Sequence, residues 1–116
     1  MSVKMYGIRN CDTIKKARAW LTANRVEYDF HDYKSDKISE SLLRDWVKEL
    51  GWERLLNRSG TTFRKLPDSD KADLDEERAV ALMIASPSLI RRPILDVGER
   101  RLVGFDPEEY RRAVAR

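Results

Sequence analysis

This sequence has one cysteine, one histidine and no apolar run long enough to span a membrane. A single cysteine excludes an intrachain disulfide, which fits a reducing compartment. Cys11 and His31 together do not supply the ligands of a zinc site. The first ten residues, MSVKMYGIRN, lack the apolar core of a signal peptide. We therefore expect a cytoplasmic protein that holds no metal and does not associate with a membrane.

The chain also lacks an excess of charge of one sign, with 23 basic and 20 acidic residues. Nucleic-acid-binding proteins usually concentrate basic residues on one face, and no basic tail or cluster is visible here. We therefore expect no nucleic-acid partner. The hydrophobic fraction of 41% is that of a folded protein, and a length of 116 residues predicts one domain, residues 1–116.

The first third of the chain predicts a strand, a helix and a second strand. Residues 3–8 (VKMYGI) are rich in β-forming types. Residues 12–24 repeat apolar side chains every three or four positions, as an amphipathic helix does. Residues 26–31 alternate apolar and polar side chains, which indicates a half-buried strand. Two strands joined by a helix in this way are expected to be parallel.

The middle of the chain is predicted to be helical. Its clearest helix begins at a serine N-cap and ends at Gly51, and its last helix ends before Pro87. The predicted elements are a helix over 39–50, a short turn over 53–58, a loop over 61–72 with one helical turn near 63–66, and a helix over 74–85.

The end of the chain predicts a hairpin followed by a helix. Residues 93–97 and 101–104 read as short strands joined by a Gly-Glu-Arg turn, and Asp106-Pro107-Glu108 has the composition of a helix start. The resulting order is typical of an α/β fold, in which a four-stranded mixed sheet carries an inserted helical segment over about residues 39–86.

Cys11 lies between the first strand and the first helix. Ligand crevices form at the carboxyl ends of strands in α/β folds. The unpaired N–H groups at a helix N-terminus stabilise a thiolate and lower the pKa of a cysteine. Asp12 would oppose that effect, and Lys15, one turn further on, would support it. The alternative is that Cys11 is a small buried apolar residue with no chemical role.

Three segments, YGIRNCDTIKKARAWL, RRPIL and LVGFDPEEYRRAV, resemble the arsenate reductase/Spx family, in its YffB-like branch. The resemblance covers nearly the whole chain, in order and at the spacing of the family. It implies a thioredoxin-like fold with a helical insertion. It also implies that Cys11 is a redox nucleophile and that Pro93 follows a cis peptide bond that faces Cys11.

The resemblance further implies a binding site for a thiol substrate or an anion. In thioredoxin-like proteins, the residue before the cis proline, here Arg92, pairs its backbone with that of a bound thiol. Arginine binds an oxyanion or a glutathione carboxylate through paired hydrogen bonds. Arg58, in LLNRSG, matches a second family arginine, unless the alignment shifts by one onto Asn57. The alternative for each arginine is a solvated surface charge. The candidate binding residues are Asn10, Lys15, Arg58, Arg91, Arg92 and Pro93.

Two departures from the family narrow the expected chemistry. Gly104 and Phe105 occupy the region in which arsenate reductases carry a third arginine, which weakens arsenate as a substrate. Ile14 stands where many Spx regulators carry a second cysteine, which excludes an internal disulfide switch. The resemblance then implies a glutathione-dependent thiol reductase with a monothiol mechanism, whose second thiol comes from glutathione as co-substrate. Its substrate would be a thiol, a disulfide or an oxyanion.

Two other functions stay open at this point. One is an Spx-like regulator without enzymatic activity, which would bind RNA polymerase or another protein. The exposed arginines of the last predicted helix, Arg111 and Arg112, would suit such a partner, although they would equally be solvated helix charges. The other is arsenate reduction.

Overall fold

The computed structural model describes residues 2–114. Lys37–Arg91 forms one compact unit, and the described residues on either side of it form another. The assignment of the whole chain to a single domain stays a prediction. In chain order, the elements are β1 (Lys4–Gly7), α1 (Asp12–Ala23), β2 (Asp29–Asp32), α2 (Glu40–Leu50), α3 (Trp52–Leu55), α4 (Thr61–Arg64), α5 (Asp68–Lys71), α6 (Glu76–Ala85), a 3-10 helix (Pro87–Leu89), β3 (Ile94–Asp96), β4 (Arg101–Val103) and α7 (Pro107–Val114).

The four strands form one mixed sheet in the order β2-β1-β3-β4. β1 is parallel to β2, and the β1–β3 and β3–β4 pairs are antiparallel. The parallel pair is joined by α1, as a connection between parallel strands requires. The predicted α/β fold with a thioredoxin-like four-stranded mixed sheet is therefore confirmed.

The core of the sheet-containing unit lies on one face of the sheet. Its buried members are Val3, Met5, Ala17, Leu21, Leu95, Val97, Leu102 and Tyr110. These residues lie in or directly beside β1, β3 and β4, and in α1 and α7. The partly buried Ala113 and Val114 pack against them. The last helix therefore packs on the sheet through Tyr110, Ala113 and Val114.

Gly7 allows α1 to lie close to β1. A Cβ atom at this position would lie 2.3 Å from Cδ1 of Ile14, which is fully buried. A larger residue here would therefore require the Ile14 side chain or the first turn of α1 to shift. The same turn carries Cys11, so the contact positions the thiol as well as the helix.

The Lys37–Arg91 unit is built from the helices α2 to α6 and the 3-10 helix. The side chain of Ser39 accepts a hydrogen bond from the Leu42 N–H at 3.1 Å, and Gly51, at φ 89°, follows the last residue of α2. Both predicted ends of this helix are confirmed. Helix α2 packs against α6, and Arg44 joins the two through Glu40 and Glu77, each at 2.8 Å.

Two predicted elements begin two or more residues too early. β2 starts at Asp29 instead of residue 26, because Asp29 is the first residue that pairs with β1, opposite Lys4. The alternation of residues 26–28 therefore precedes the strand. Helix α6 starts at Glu76, because Asp75 is its N-cap and its side chain accepts from the Arg78 N–H at 2.9 Å.

The segment predicted as a loop over residues 61–72 contains two four-residue helices. Helix α4 overlaps the helical turn predicted near 63–66, whereas α5 was not predicted. A helix of one turn shows no repeat of apolar positions, so periodicity does not reveal it. The short turn predicted over 53–58 is α3, which begins one residue earlier and ends at Leu55. Across residues 2–114, no helix combines the length and apolar character that crossing a membrane requires.

Candidate active site

Cys11 is the N-cap residue of α1, with extended backbone angles of φ −103° and ψ 130°. Its carbonyl oxygen accepts from the Lys15 N–H at 3.0 Å, and its own N–H donates to the Ile8 carbonyl at 3.3 Å. The residue is partly exposed. The thiol therefore lies at the mouth of a helix, as the sequence predicted, and remains accessible to another molecule.

The pKa of the Cys11 thiol is lowered by its surroundings. Partial burial alone would raise this pKa, but hydrogen bonds from the Ile14 and Thr13 N–H groups and from the Arg92 side chain outweigh it. The positive charge of Arg92 adds to the effect. A depressed pKa favours the thiolate, which is the nucleophilic form. A buried spectator cysteine would show the opposite direction.

Arg92 reaches the thiol from the segment just before β3. Its peptide bond to Pro93 is cis, as expected. That this bond faces Cys11 stays a prediction. Pro93 is buried, and its carbonyl accepts from the Gly104 N–H at 2.8 Å. This bond ties the start of β3 to the end of β4. The structure therefore brings Arg92 and Cys11 together, although they are distant in sequence.

Tyr33 is a neighbour of this pair that the sequence analysis missed. It is fully buried and follows β2, where its N–H donates to the Gly7 carbonyl at 3.1 Å. Its hydroxyl is hydrogen-bonded to the side chain of Arg92. Burial raises the pKa of Tyr33, so the phenol stays protonated. No sequence signal pointed to Tyr33, because a tyrosine hydroxyl requires a polar partner only when it is buried, and its burial is visible only in the structure.

The Asp32 carboxylate stabilises the turn that precedes Cys11 through hydrogen bonds. This carboxylate is only 6% exposed and accepts from the N–H groups of Lys34 and Ser35 at 2.9 and 3.4 Å. It also accepts from the Arg9 N–H at 3.3 Å and the Arg9 guanidinium at 3.4 Å. Burial raises the pKa of Asp32, but these bonds outweigh it and lower the pKa below its usual value. Asp32 was also missed.

Two further candidates flank the thiol along the chain. Asn10 is exposed in the turn just before Cys11, and Lys15 is exposed one turn into α1. The structure ties Lys15 to Cys11 through its backbone N–H, whereas Arg92 supplies the cationic side chain at the thiol. The binding roles of Asn10 and Lys15 stay predictions.

The other two candidate arginines lie in the Lys37–Arg91 unit, and both are exposed. The Arg58 guanidinium carbon lies 5.7 Å from the centroid of the Trp52 ring, in a cation–π arrangement. The Arg91 N–H donates to the Leu55 carbonyl at 2.7 Å. Their proposed role in binding an anion stays a prediction.

Gly104 and Phe105 have structural roles at the position of the missing arginine. Gly104 adopts φ 84°, and its carbonyl accepts from the Tyr110 hydroxyl at 3.1 Å. The ring of Phe105 meets the ring of Tyr110 edge-on, with centroids 5.1 Å apart. This segment therefore anchors α7 on the sheet.

Comparisons with known proteins agree with this architecture. The model of the ArsC family matches residues 6–113. The solved structure of a protein named YffB is 55% identical and superimposes with a TM-score of 0.95, over 98% of this chain and 100% of that one. An arsenate reductase (ArsC) related protein from Brucella melitensis is 47% identical, with a TM-score of 0.79 over 97% of this chain and 93% of that one. The global transcriptional regulator Spx of Streptococcus pyogenes serotype M3 is 31% identical, over 92% of this chain and 81% of that protein.

Proposed function

The chain belongs to the ArsC family, and we propose that it is an oxidoreductase, namely a glutathione-dependent thiol reductase with Cys11 as its only nucleophile. The observation that carries this proposal is the partly exposed thiol whose pKa is lowered by Arg92 and by the N-terminus of α1. A thiolate that is both stabilised and accessible is suited to attack an electrophilic sulfur.

The proposed reaction reduces a mixed disulfide between glutathione and a substrate thiol. The Cys11 thiolate attacks the glutathione sulfur, the old disulfide bond breaks, and the substrate leaves as a thiolate that takes a proton from water. Cys11 is then joined to glutathione. A second glutathione thiolate attacks the glutathione sulfur of this intermediate, which releases oxidised glutathione and restores the Cys11 thiolate. The second thiol comes from solution because the sequence has one cysteine.

Arg92 would act in both steps. A cation beside the sulfur stabilises the thiolate when Cys11 attacks and again when Cys11 is the leaving group, and a leaving thiol of lower pKa departs faster. Asn10 and Lys15, which flank Cys11 in the chain, would hold a glutathione carboxylate through charge-assisted or polar hydrogen bonds. A role for Arg58 and Arg91 in binding an anion is a separate proposal. A cytoplasmic location, also proposed, would supply reduced glutathione.

The experiment is to incubate the protein with oxidised glutathione and to measure its intact mass. We expect wild type to gain one glutathionyl group, which dithiothreitol removes, and Cys11→Ser to gain none. Turnover is then measured with a glutathione mixed disulfide and excess glutathione, and the Cys11→Ser variant should show none. Absence of the adduct in wild type would refute the proposed function.

A regulatory role is the second candidate, and the identity with a protein named as the regulator Spx favours it. On α7, Arg112 is exposed, and Arg111 is exposed but pairs with Glu108. A regulator of this kind would bind purified RNA polymerase equally well as wild type and as Cys11→Ser. Arsenate reduction is tested directly by adding arsenate and glutathione. Because Gly104 and Phe105 occupy the region in which arsenate reductases carry a third arginine, we expect no turnover.

A further inference from the structure

Tyr33 is a fully buried side chain that has no role in the proposed reaction. We propose that Tyr33 is a positioning residue that holds the Arg92 guanidinium against the Cys11 sulfur. The proposal deepens the proposed function, because it rests on Cys11 being the nucleophile. Tyr33 does not touch the substrate; it acts through Arg92.

The backbone of Tyr33 is held in place by the sheet. Its N–H donates to the Gly7 carbonyl at 3.1 Å, directly after the last residue pair between β1 and β2. Gly7 is also the residue against which the first turn of α1 packs. The phenol is therefore fixed relative to the same turn that carries Cys11.

One guanidinium contacts both groups. The Arg92 side chain is hydrogen-bonded to the Tyr33 hydroxyl and to the Cys11 thiol. A guanidinium has five N–H donors in a rigid planar fork, so a bond on one side of the fork orients the other side. An arginine side chain without such a bond loses considerable rotamer freedom when it binds a thiolate, and a buried hydroxyl reduces that loss.

The charges around the phenol are consistent with a positioning role. The titratable groups that face Tyr33 are Arg92, Cys11 and Asp32. Burial keeps the phenol neutral, so it accepts a bond from Arg92 without forming an ion pair that would compete for the positive charge. Asp32 is itself engaged by the backbone and side chain of Arg9. The charge of Arg92 is thus left to act on the sulfur.

The test is Tyr33→Phe, which removes only the hydroxyl. The readout is the rate of Cys11 alkylation by iodoacetamide from pH 5 to pH 10. We expect the rate at pH values below the thiol pKa to fall by about three- to tenfold, the size of one lost hydrogen bond. The plateau at high pH, where all of the thiol is ionised, should not fall. A general loosening of the site would change the plateau as well.

Tyr28→Phe is a matched control. The Tyr28 hydroxyl also bonds an arginine, accepting from Nε of Arg18 at 2.9 Å. The structure gives Arg18 no hydrogen bond to the thiol, and its guanidinium lies over the Phe30 ring at 4.3 Å. We expect this variant to alkylate Cys11 as wild type does. An equal slowing in both variants would overturn the proposal, because any tyrosine hydroxyl would then suffice.

A double-mutant cycle with Arg92→Gln separates positioning from a direct action of the phenol. If Tyr33 acts through Arg92, Tyr33→Phe should change the alkylation rate little once Arg92 is replaced. The same fold-change in both backgrounds, or none in wild type, would overturn the proposal. Alkylation needs no glutathione. Suppose that Tyr33→Phe slows alkylation as expected but wild type forms no adduct with oxidised glutathione. This result would refute the proposed reductase and leave the positioning role of Tyr33 intact.

Discussion

Gly7→Ala should lower the free energy of unfolding and slow the alkylation of Cys11, because the contact between Gly7 and Ile14 supports both the fold and the position of the thiol. The new Cβ would lie 2.3 Å from Cδ1 and 3.1 Å from Cγ1 of Ile14. Ile14 is fully buried, so its side chain has no solvent into which it can turn. The Ile14 N–H also donates to the Cys11 thiol. If the first turn of α1 shifts to relieve the clash, it therefore moves a donor away from the sulfur.

The expected magnitude follows from two opposing effects. Extra volume in a packed core costs about 1–3 kcal/mol. Replacing glycine by alanine restricts the unfolded chain and returns about 0.4–1 kcal/mol. The net loss in the free energy of unfolding should be roughly 0.5–2 kcal/mol, which corresponds to a fall in Tm of about 2–8 °C for a protein of this size.

The assay combines urea unfolding with alkylation of Cys11 at pH 7. Ile14→Val is the matched variant, because it deletes Cδ1, the atom that the new methyl group would strike. Alone, it should cost about 0.5–1.5 kcal/mol. Combined with Gly7→Ala, it should cost less than it does alone, with a coupling of about 1 kcal/mol.

Two results would refute this reasoning. One is a Gly7→Ala variant that unfolds at the same urea concentration as wild type. The other is an Ile14→Val penalty that is equal with glycine or alanine at residue 7. If stability falls but the alkylation rate stays the same, the link between helix packing and the thiol is wrong.

Three further predictions concern a buried carboxylate, a helix cap and the site arginine. The folded-state pKa of Asp32 is depressed, so its stabilising effect is present above the unfolded pKa and is lost as pH falls through the folded value. Asp32→Asn should lower the free energy of unfolding, measured with urea, by about 1–3 kcal/mol at pH 7 and by little in strong acid. A loss that does not depend on pH would contradict this prediction. Ser39→Ala should cost about 1 kcal/mol in the same assay, whereas Ser41→Ala, inside α2, should cost nothing. Arg92→Gln should slow Cys11 alkylation at pH 7 by about tenfold, and an unchanged rate would show that the guanidinium does not stabilise the thiolate.

Local signals predicted the elements that local forces determine. The ends of α2 were readable because its cap residue and its terminal glycine are adjacent to it in sequence. The start of α7 was readable for the same reason, since the Asp106 side chain accepts from the Glu108 N–H at 3.1 Å. The start of β2 was misplaced, because its first paired residue is decided by its distant partner β1.

The residues of the candidate site also fall into those that local sequence signals predicted and those that they did not. The position of Cys11 at a helix mouth was predicted from its neighbours in the chain. Arg92 was suggested by resemblance to a family, and no local pattern would have distinguished it from a solvated arginine. Tyr33 and Asp32 were missed, because a residue at the end of a strand shows nothing in sequence of what its side chain meets.

The place of a lone cysteine at the start of a helix could be read from the chain alone, and with it the proposal that a second thiol comes from another molecule. What surrounds the sulfur depends on the fold. Pairing of β1 with both β2 and β3 brings Tyr33 and Arg92, which lie far apart in the chain, to the first turn of α1. Hydrogen bonds and charge act over a few ångströms in space, so the chemistry of Cys11 depends on which segments the sheet places beside it.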